Sequence, residues 1–128
     1  MVVRLNHTIV WAGDRDASAR FLSEVLGLPA PTRFGPFAVV QVGDTSLDYA
    51  ERGGEIAGQH YAFLISEQEF DEIFGRIRER GLDYWADPGQ RRRGEINRSD
   101  GGRGVYFEDP SGHLLEIITR PYGSGAGG

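Results

Sequence analysis

Two histidines and one glutamate have the types and the spacing expected of metal ligands. His7 and His60 fall in the first predicted strand of two similar half-chains, and Glu116 falls in the last strand of the second half. Glu116 stands in an apolar run, where a buried carboxylate is costly unless a cation or hydrogen bonds offset its desolvation. Two neutral imidazoles and one carboxylate form a facial triad that leaves coordination positions open. We therefore predict a divalent metal on His7, His60 and Glu116, although either histidine alone would more simply be a structural residue.

Three further residues have chemistry near these positions. Asp48 stands in the first half where Glu116 stands in the second, so we predict that it is a fourth ligand or a base. Its side chain is one methylene shorter than that of glutamate and would reach a metal through water. Tyr106 is predicted either to orient a bound oxygen or to pack within its strand. His113 follows a turn and is assigned to the end of a hairpin.

The elements that must hold these residues follow the order βαβββ twice. In the first half we predict strands at 3–11, 37–42 and 45–50, and a helix capped by Asp14 or Asp16 that ends at Gly27. Pro29 and Pro31 argue against regular structure between helix and strand. In the second half we predict a strand at 60–65, a capping box at 66–69 and a helix that stops at Gly81. Strands at 82–85, 105–107 and 114–119 complete it, the last two joined by a turn at 109–112.

The two halves match closely enough to indicate an internal duplication. His7 is separated from His60 by the same number of residues as Phe21 from Phe74, and Leu47-Asp48 matches Leu115-Glu116. The fold class is therefore α+β, with two βαβββ modules whose curved mixed sheet forms a cup with the helices outside. We expect one domain over 1–122, with modules at about 1–52 and 58–122, and a flexible glycine-rich tail at 123–128.

Composition excludes several functional classes. The net charge of −5 and the 14 basic residues, all arginine, argue against nucleic-acid binding. No apolar run is long enough to span a membrane, and no leader is evident, so we expect a cytoplasmic protein without a membrane partner. The absence of cysteine leaves histidine, carboxylate and water as metal ligands.

Taken together, these motifs resemble the vicinal oxygen chelate superfamily, which includes glyoxalase I, bleomycin-resistance proteins and extradiol dioxygenases. The resemblance covers most of the chain, from Leu5-Asn6-His7-Thr8 through Val25-Leu26-Gly27-Leu28 to the stretch 109–116. It implies a paired βαβββ fold, a divalent metal (Fe, Mn, Ni or Zn) on His7, His60 and Glu116, and a small-molecule substrate that chelates the metal through neighbouring oxygens. It also implies a homodimer or modules paired within one chain, of which we expect the homodimer.

The resemblance leaves the reaction open. Val105-Tyr106, Asp109-Pro110 and Glu116 are similar to half of the extradiol dioxygenase signature, but Asn97 stands where those enzymes place a catalytic histidine. Asparagine exchanges no proton near neutral pH, which disfavours ring cleavage. The position of Asp48 is similar to a ligand position of glyoxalase I and favours isomerase or lyase chemistry.

Two other activities within the same resemblance remain as alternatives. A metal-free protein that binds a cationic drug, like the bleomycin-resistance proteins, would suit the acidic charge and the aromatic residues Trp11, Trp85, Tyr49 and Tyr84. Fosfomycin-modifying relatives need a cationic pocket, for which the candidates are Arg91, Arg92, Arg93, Arg98 and Arg103. The loop at 86–103 carries four glycines and is either a lid or a surface excursion.

Overall fold

The computed structural model describes residues 2–125, which fall into two compact units. Unit 1 contains the chain up to residue 57 together with 109–111, and unit 2 contains 58–108 together with the chain from residue 112 onward. Each unit has one helix and one four-stranded mixed sheet. The predicted α+β class with two βαβββ modules is confirmed. Residues 126–128 of the predicted tail lie outside the described range, whereas the backbone N–H of Gly125 donates to Asp100 Oδ1.

Unit 1 consists of β1 (His7–Ala12), α1 (Arg15–Leu26), β2 (Thr32–Phe34), β3 (Phe37–Val42) and β4 (Thr45–Glu51). Its sheet has the order β1-β4-β3-β2, in which the β1–β4 pair is parallel and the β3–β4 and β2–β3 pairs are antiparallel. Helix α1 begins at Asp14, whose carboxylate accepts a hydrogen bond from the N–H of Ala17, and ends at Gly27 in the left-handed region. The core of the unit includes Val10, Leu22, Val25, Val40 and Tyr49.

Strand β2 is a feature that the sequence analysis missed. Pro29 and Pro31 were expected to prevent regular structure, but Thr32–Phe34 directly after them pairs antiparallel with β3. All three residues are exposed, so the strand shows no alternation of buried and exposed positions by which it could be recognised. It is an edge strand that is held by its backbone pairing with β3.

Unit 2 consists of β5 (His60–Leu64), α2 (Glu67–Glu79), β6 (Tyr84–Trp85), β7 (Gly104–Glu108) and β8 (Leu114–Ile118). The order is β5-β8-β7-β6, and the β5–β8 pair is parallel. Ser66 and Glu69 form the predicted capping box at the start of α2. The buried residues include Phe70 and Ile77 on the helix and Phe107, Leu115 and Ile117 on the strands.

The long connection between β6 and β7 is ordered by local hydrogen bonds. Asn97 exchanges both backbone hydrogen bonds with Gly104, and Ser99–Gly101 forms a single 3-10 turn. The carboxylate of Asp87 accepts from the backbone N–H groups of Arg91 and Arg92. These bonds lower the pKa of Asp87, with the N–H of Arg92 as the largest contribution.

Candidate active site

The register between β5 and β8 brings His60 and Glu116 together in unit 2. His60 pairs with Leu114, and Glu116, two residues further along, lies between Ala62 on β5 and Tyr106 on β7. Because side chains two residues apart share a face, the imidazole and the carboxylate meet, with 3.1 Å between His60 Nε2 and Glu116 Oε1. Glu116 is only 1% exposed, so its carboxylate is buried as the sequence suggested.

The other nitrogen of His60 defines the state of the ring. Nδ1 lies 3.0 Å from the carbonyl oxygen of Leu114. A carbonyl can only accept, so Nδ1 carries a proton, and in the neutral ring Nε2 then presents a lone pair. That lone pair faces the oxygen of Glu116, which is also an acceptor. The contact is therefore favourable only when a second proton lies between the two atoms or when both atoms bind one metal cation.

This pair of donors fits a divalent metal. A backbone carbonyl on the distal ring nitrogen is the usual way in which proteins orient a metal-binding histidine. Two adjacent ligands of an octahedral site with bonds of about 2.1 Å lie about 3 Å apart. The separation of His60 Nε2 and Glu116 Oε1 matches that spacing. Histidine nitrogen with carboxylate oxygen is also a donor set that suits iron and manganese.

Two tyrosines complete the surroundings of Glu116. The hydroxyl of Tyr122 donates to Glu116 Oε1 at 2.7 Å and lies 3.2 Å from the hydroxyl of Tyr106. The Tyr106 ring stacks on the imidazole of His60 with 5.8 Å between ring centroids. Burial raises the pKa of Tyr106 far above its usual range, and the contacts with Tyr122 and Glu116 add to the shift. Burial also raises the pKa of Tyr122.

Tyr122 is the residue at this site that the sequence analysis missed. It lies beyond the last strand, within the stretch between Pro121 and the glycine-rich end of the chain. No strand or helix periodicity gives its direction, so its proximity to Glu116 could not be obtained from the pattern. The available signal was a lone aromatic residue with a polar group, six residues after a buried acid.

His7 and Asp48 lie in unit 1 and repeat the same register. His7 pairs with Ser46, and Asp48 is again two residues further along the parallel partner strand. Here the acid accepts a hydrogen bond from the Ser46 hydroxyl at 2.8 Å, and His7 Nδ1 lies 2.8 Å from Asn6 Oδ1. Both residues line an open groove of about 440 Å³ together with Thr32, Phe34, Phe37, Val39, Ser46 and Asn6.

The structure thus brings the predicted residues together in two sets. His60, Glu116 and Tyr106 form one set in unit 2, and His7 and Asp48 form the other in unit 1. Within residues 2–125, no cluster of three or more histidine and acidic side chains is arranged to hold a metal. Coordination of one ion by His7, His60 and Glu116 together stays a prediction.

Asn97 and His113 have local structural contacts. The side-chain amide of Asn97 donates to the carbonyl of Ala86, and its side-chain oxygen accepts from the N–H of Ser99. His113 is 1% exposed and accepts a hydrogen bond from the N–H of Gln59 through Nδ1. Asn97 thereby connects the two ends of the long loop, and His113 connects the end of the hairpin to the start of β5.

The arginines of the long loop are engaged by neighbouring acids. Arg92 pairs with Glu95 at 3.1 Å, and Arg93 pairs with Asp83. Arg103 binds Glu67 and Asp71 on α2 at 2.7 and 2.9 Å. These contacts raise the pKa of Arg103, with Asp71 as the largest contribution. Much of the positive charge that a pocket for an anionic substrate would need is therefore locally neutralised.

The comparisons with known proteins place this chain in one family. Residues 4–117 match the model described as Glyoxalase/Bleomycin resistance protein/Dioxygenase superfamily. A solved structure named Oxidase ChaP-H1 is 70% identical with a TM-score of 0.93, covering 95% of this chain and 99% of that one. Oxidase ChaP-H2 is 64% identical with a TM-score of 0.95, covering 98% and 100%. Glutathione transferase FosA of Serratia marcescens is 32% identical over 124 residues, covering 91% of this chain and 81% of that protein.

Among the described residues, no helix is both long and apolar enough to cross a membrane.

Proposed function

Because this chain belongs to the Glyoxalase/Bleomycin resistance protein/Dioxygenase superfamily and is an enzyme of that superfamily, we propose that it is a metal-dependent oxidase. Its substrate is a small molecule with two neighbouring oxygen atoms. The two similar solved structures that are named oxidases support oxidation over isomerase or lyase chemistry. The observation that carries the proposal is the 3.1 Å contact between His60 Nε2 and Glu116 Oε1, which has the spacing of two neighbouring ligands of one metal ion.

His7, His60 and Glu116 are the proposed ligands. A divalent iron or manganese ion held by these residues would supply Lewis-acid and redox chemistry to the substrate oxygens. Glu116 contributes negative charge from a buried position, where a cation offsets its desolvation. The carbonyl of Leu114 holds the proton of His60 on Nδ1, which leaves Nε2 available as a ligand.

Tyr106 and Asp48 are the proposed groups that act on the substrate. The raised pKa of Tyr106 keeps its hydroxyl protonated near neutral pH, so it does not act as a base, and it would donate a hydrogen bond to a substrate oxygen in place of Tyr122. Asp48 is the base, because a carboxylate beside the groove of unit 1 can accept a proton from a substrate hydroxyl. The Ser46 hydroxyl orients Asp48 through Oδ1.

Metal content and oxygen consumption test this proposal together. The purified protein is analysed for metal and reconstituted with Fe²⁺, Mn²⁺, Ni²⁺ or Zn²⁺, and oxygen uptake is followed with a panel of small molecules that carry neighbouring oxygens. We expect about one iron or manganese ion per chain and metal-dependent oxygen uptake. His60→Ala should lose both, and Gln59→Ala, at the exposed position beside it, should lose neither.

Other outcomes point to the other activities. A metal-loaded protein that isomerises the hemithioacetal of methylglyoxal and glutathione, without consuming oxygen, contradicts the oxidase and supports glyoxalase-type chemistry. A protein that retains no metal after reconstitution contradicts the metalloenzyme altogether. It would then be examined for binding of cationic drugs, as in the bleomycin-resistance proteins.

A further inference from the structure

Tyr122 combines a largely exposed side chain with a hydroxyl that reaches a buried acid. The residue is 66% exposed, but its hydroxyl donates to Glu116 Oε1 at 2.7 Å, whereas Glu116 is 1% exposed. Because this hydroxyl donates to a buried carboxylate oxygen, Tyr122→Phe leaves that oxygen without this partner. The hydrogen bond therefore offsets the burial of the carboxylate and also fixes its position.

Residues 120–125, the C-terminal strap, hold Tyr122 in place. The Ser124 hydroxyl and backbone N–H both donate to the carbonyl of Pro121, and the Arg120 guanidinium donates to the carbonyl of Ser124. The strap is fixed to the 3-10 turn at 99–101 by the bond from Gly125 N–H to Asp100 Oδ1. A side chain at position 125 would collide with the backbone of Asp100, so only glycine permits this approach.

We propose that Tyr122 is a positioning residue, which orients the Glu116 carboxylate so that Oε1 stays beside His60 Nε2, where both atoms would be ligands of one cation. This inference rests on the proposed metal-binding function. Tyr122 contacts the acid, and we assign it no direct contact with the metal.

The geometry at Oε1 gives the physical reason. A carboxylate oxygen has two lone pairs, and the Tyr122 hydroxyl occupies one while His60 Nε2 faces the same oxygen at 3.1 Å. The terminal torsion of glutamate is broad, so without a partner the carboxylate rotates freely about it. The hydrogen bond selects the orientation in which Oε1 lies beside His60 Nε2 and keeps a lone pair available for a cation. Tyr106 secures the arrangement from the other side, with its hydroxyl 3.2 Å from that of Tyr122.

Titration with Co²⁺ alone measures this effect apart from turnover, because the visible bands of bound Co²⁺ report both affinity and ligand geometry. Tyr122→Phe removes the hydroxyl and keeps the ring, and Tyr84→Phe removes a hydroxyl from β6 as its control. Gly125→Ala displaces the strap without touching the tyrosine. Its control is Gly75→Ala on α2, where an added methyl group meets nothing within 4 Å.

We expect Tyr122→Phe to bind Co²⁺ about tenfold more weakly than the wild-type protein, with displaced visible bands, as for other residues that orient a metal ligand. Gly125→Ala should change affinity in the same direction, and both controls should stay within about twofold. Wild-type binding with an unchanged Tyr122→Phe affinity and spectrum overturns the inference and leaves the proposed function intact. A wild-type protein that binds no Co²⁺ overturns both.

Discussion

At the scale of single residues, the arrangement around Glu116 separates two kinds of acid in this protein. Glu116 is buried beside an imidazole and two phenols, and its pseudo-symmetric counterpart Asp48 is half-buried with a serine hydroxyl. Each acid lies two residues beyond the strand partner of its histidine, so the backbone register is the same in both units. The difference in burial between Glu116 and Asp48 therefore arises from side-chain length and from the neighbouring side chains. This difference in surroundings is consistent with the proposed roles, in which Glu116 holds a cation and Asp48 moves a proton.

The raised pKa of Tyr106 leads to a prediction about pH. Burial disfavours the phenolate, so the folded pKa exceeds that of the unfolded chain. The corresponding stability is fully present below the pKa of an unfolded tyrosine, about 10, and is lost as pH rises above it. In a spectrophotometric titration, Tyr106→Phe should remove a tyrosine that ionises only at higher pH than the exposed ones. Loss of a tyrosine that titrates near 10 instead would contradict this environment.

Tyr106→Phe also distinguishes two possible roles of Tyr106 in catalysis, that of a hydrogen-bond donor and that of a base. If Tyr106 donates a hydrogen bond, Tyr106→Phe lowers kcat and leaves the shape of the pH–rate profile unchanged. If it acted as a base, the profile would lose an ionisation step on substitution. The comparison needs only steady-state rates for both proteins over the pH range in which they remain folded.

At the scale of elements, the residues that end helices were predictable because their chemistry is local. Asp14 and Gly27 bound α1, and Ser66 with Glu69 forms the capping box of α2, as the sequence indicated. The prediction of where β1 begins was less accurate. A strand was expected from residue 3, but the ladder begins at His7, where pairing with Ser46 starts, and Val2, Val3 and Leu5 are exposed.

The capping box of α2 gives a stability prediction. Ser66 accepts from the N–H of Glu69, and the Glu69 carboxylate accepts from the N–H of Ser66, which satisfies two donors of the first helical turn. Ser66→Ala should lower the free energy of unfolding by about 1 kcal/mol. Urea denaturation measures the change, and Gln68→Ala at the exposed position in the same turn serves as the control. An effect of Ser66→Ala no larger than that of the control would show that the cap contributes little.

At the scale of the whole molecule, the internal repeat explains why so much of the fold could be predicted. The matching of His7 with His60 and of Asp48 with Glu116 identified two modules, and the two sheets have the same parallel pairing and the same histidine-to-acid register. Two features were harder to predict. Strand β2 and the strap with Tyr122 depend on tertiary pairing, which leaves no periodic signal in the sequence.

The oligomeric state is the remaining prediction at this scale. Modules of this superfamily pair within one chain or across a dimer, and we expect a homodimer. Sedimentation equilibrium at micromolar concentration should therefore give twice the chain mass of 14.1 kDa. A mass of one chain over the whole concentration range would show that the modules act within a single chain.

The most direct test of the proposed metal centre is the affinity of Glu116→Gln for Mn²⁺, measured by electron paramagnetic resonance, with unfolding curves recorded to show that each variant is folded. Glutamine keeps the shape of the side chain and removes the charge that the cation needs. We predict about one tightly bound Mn²⁺ per wild-type chain, binding weakened at least about a hundredfold in Glu116→Gln, and unchanged binding in the exposed acid variant Glu108→Gln. Equal affinity of Glu116→Gln and wild type would contradict the account.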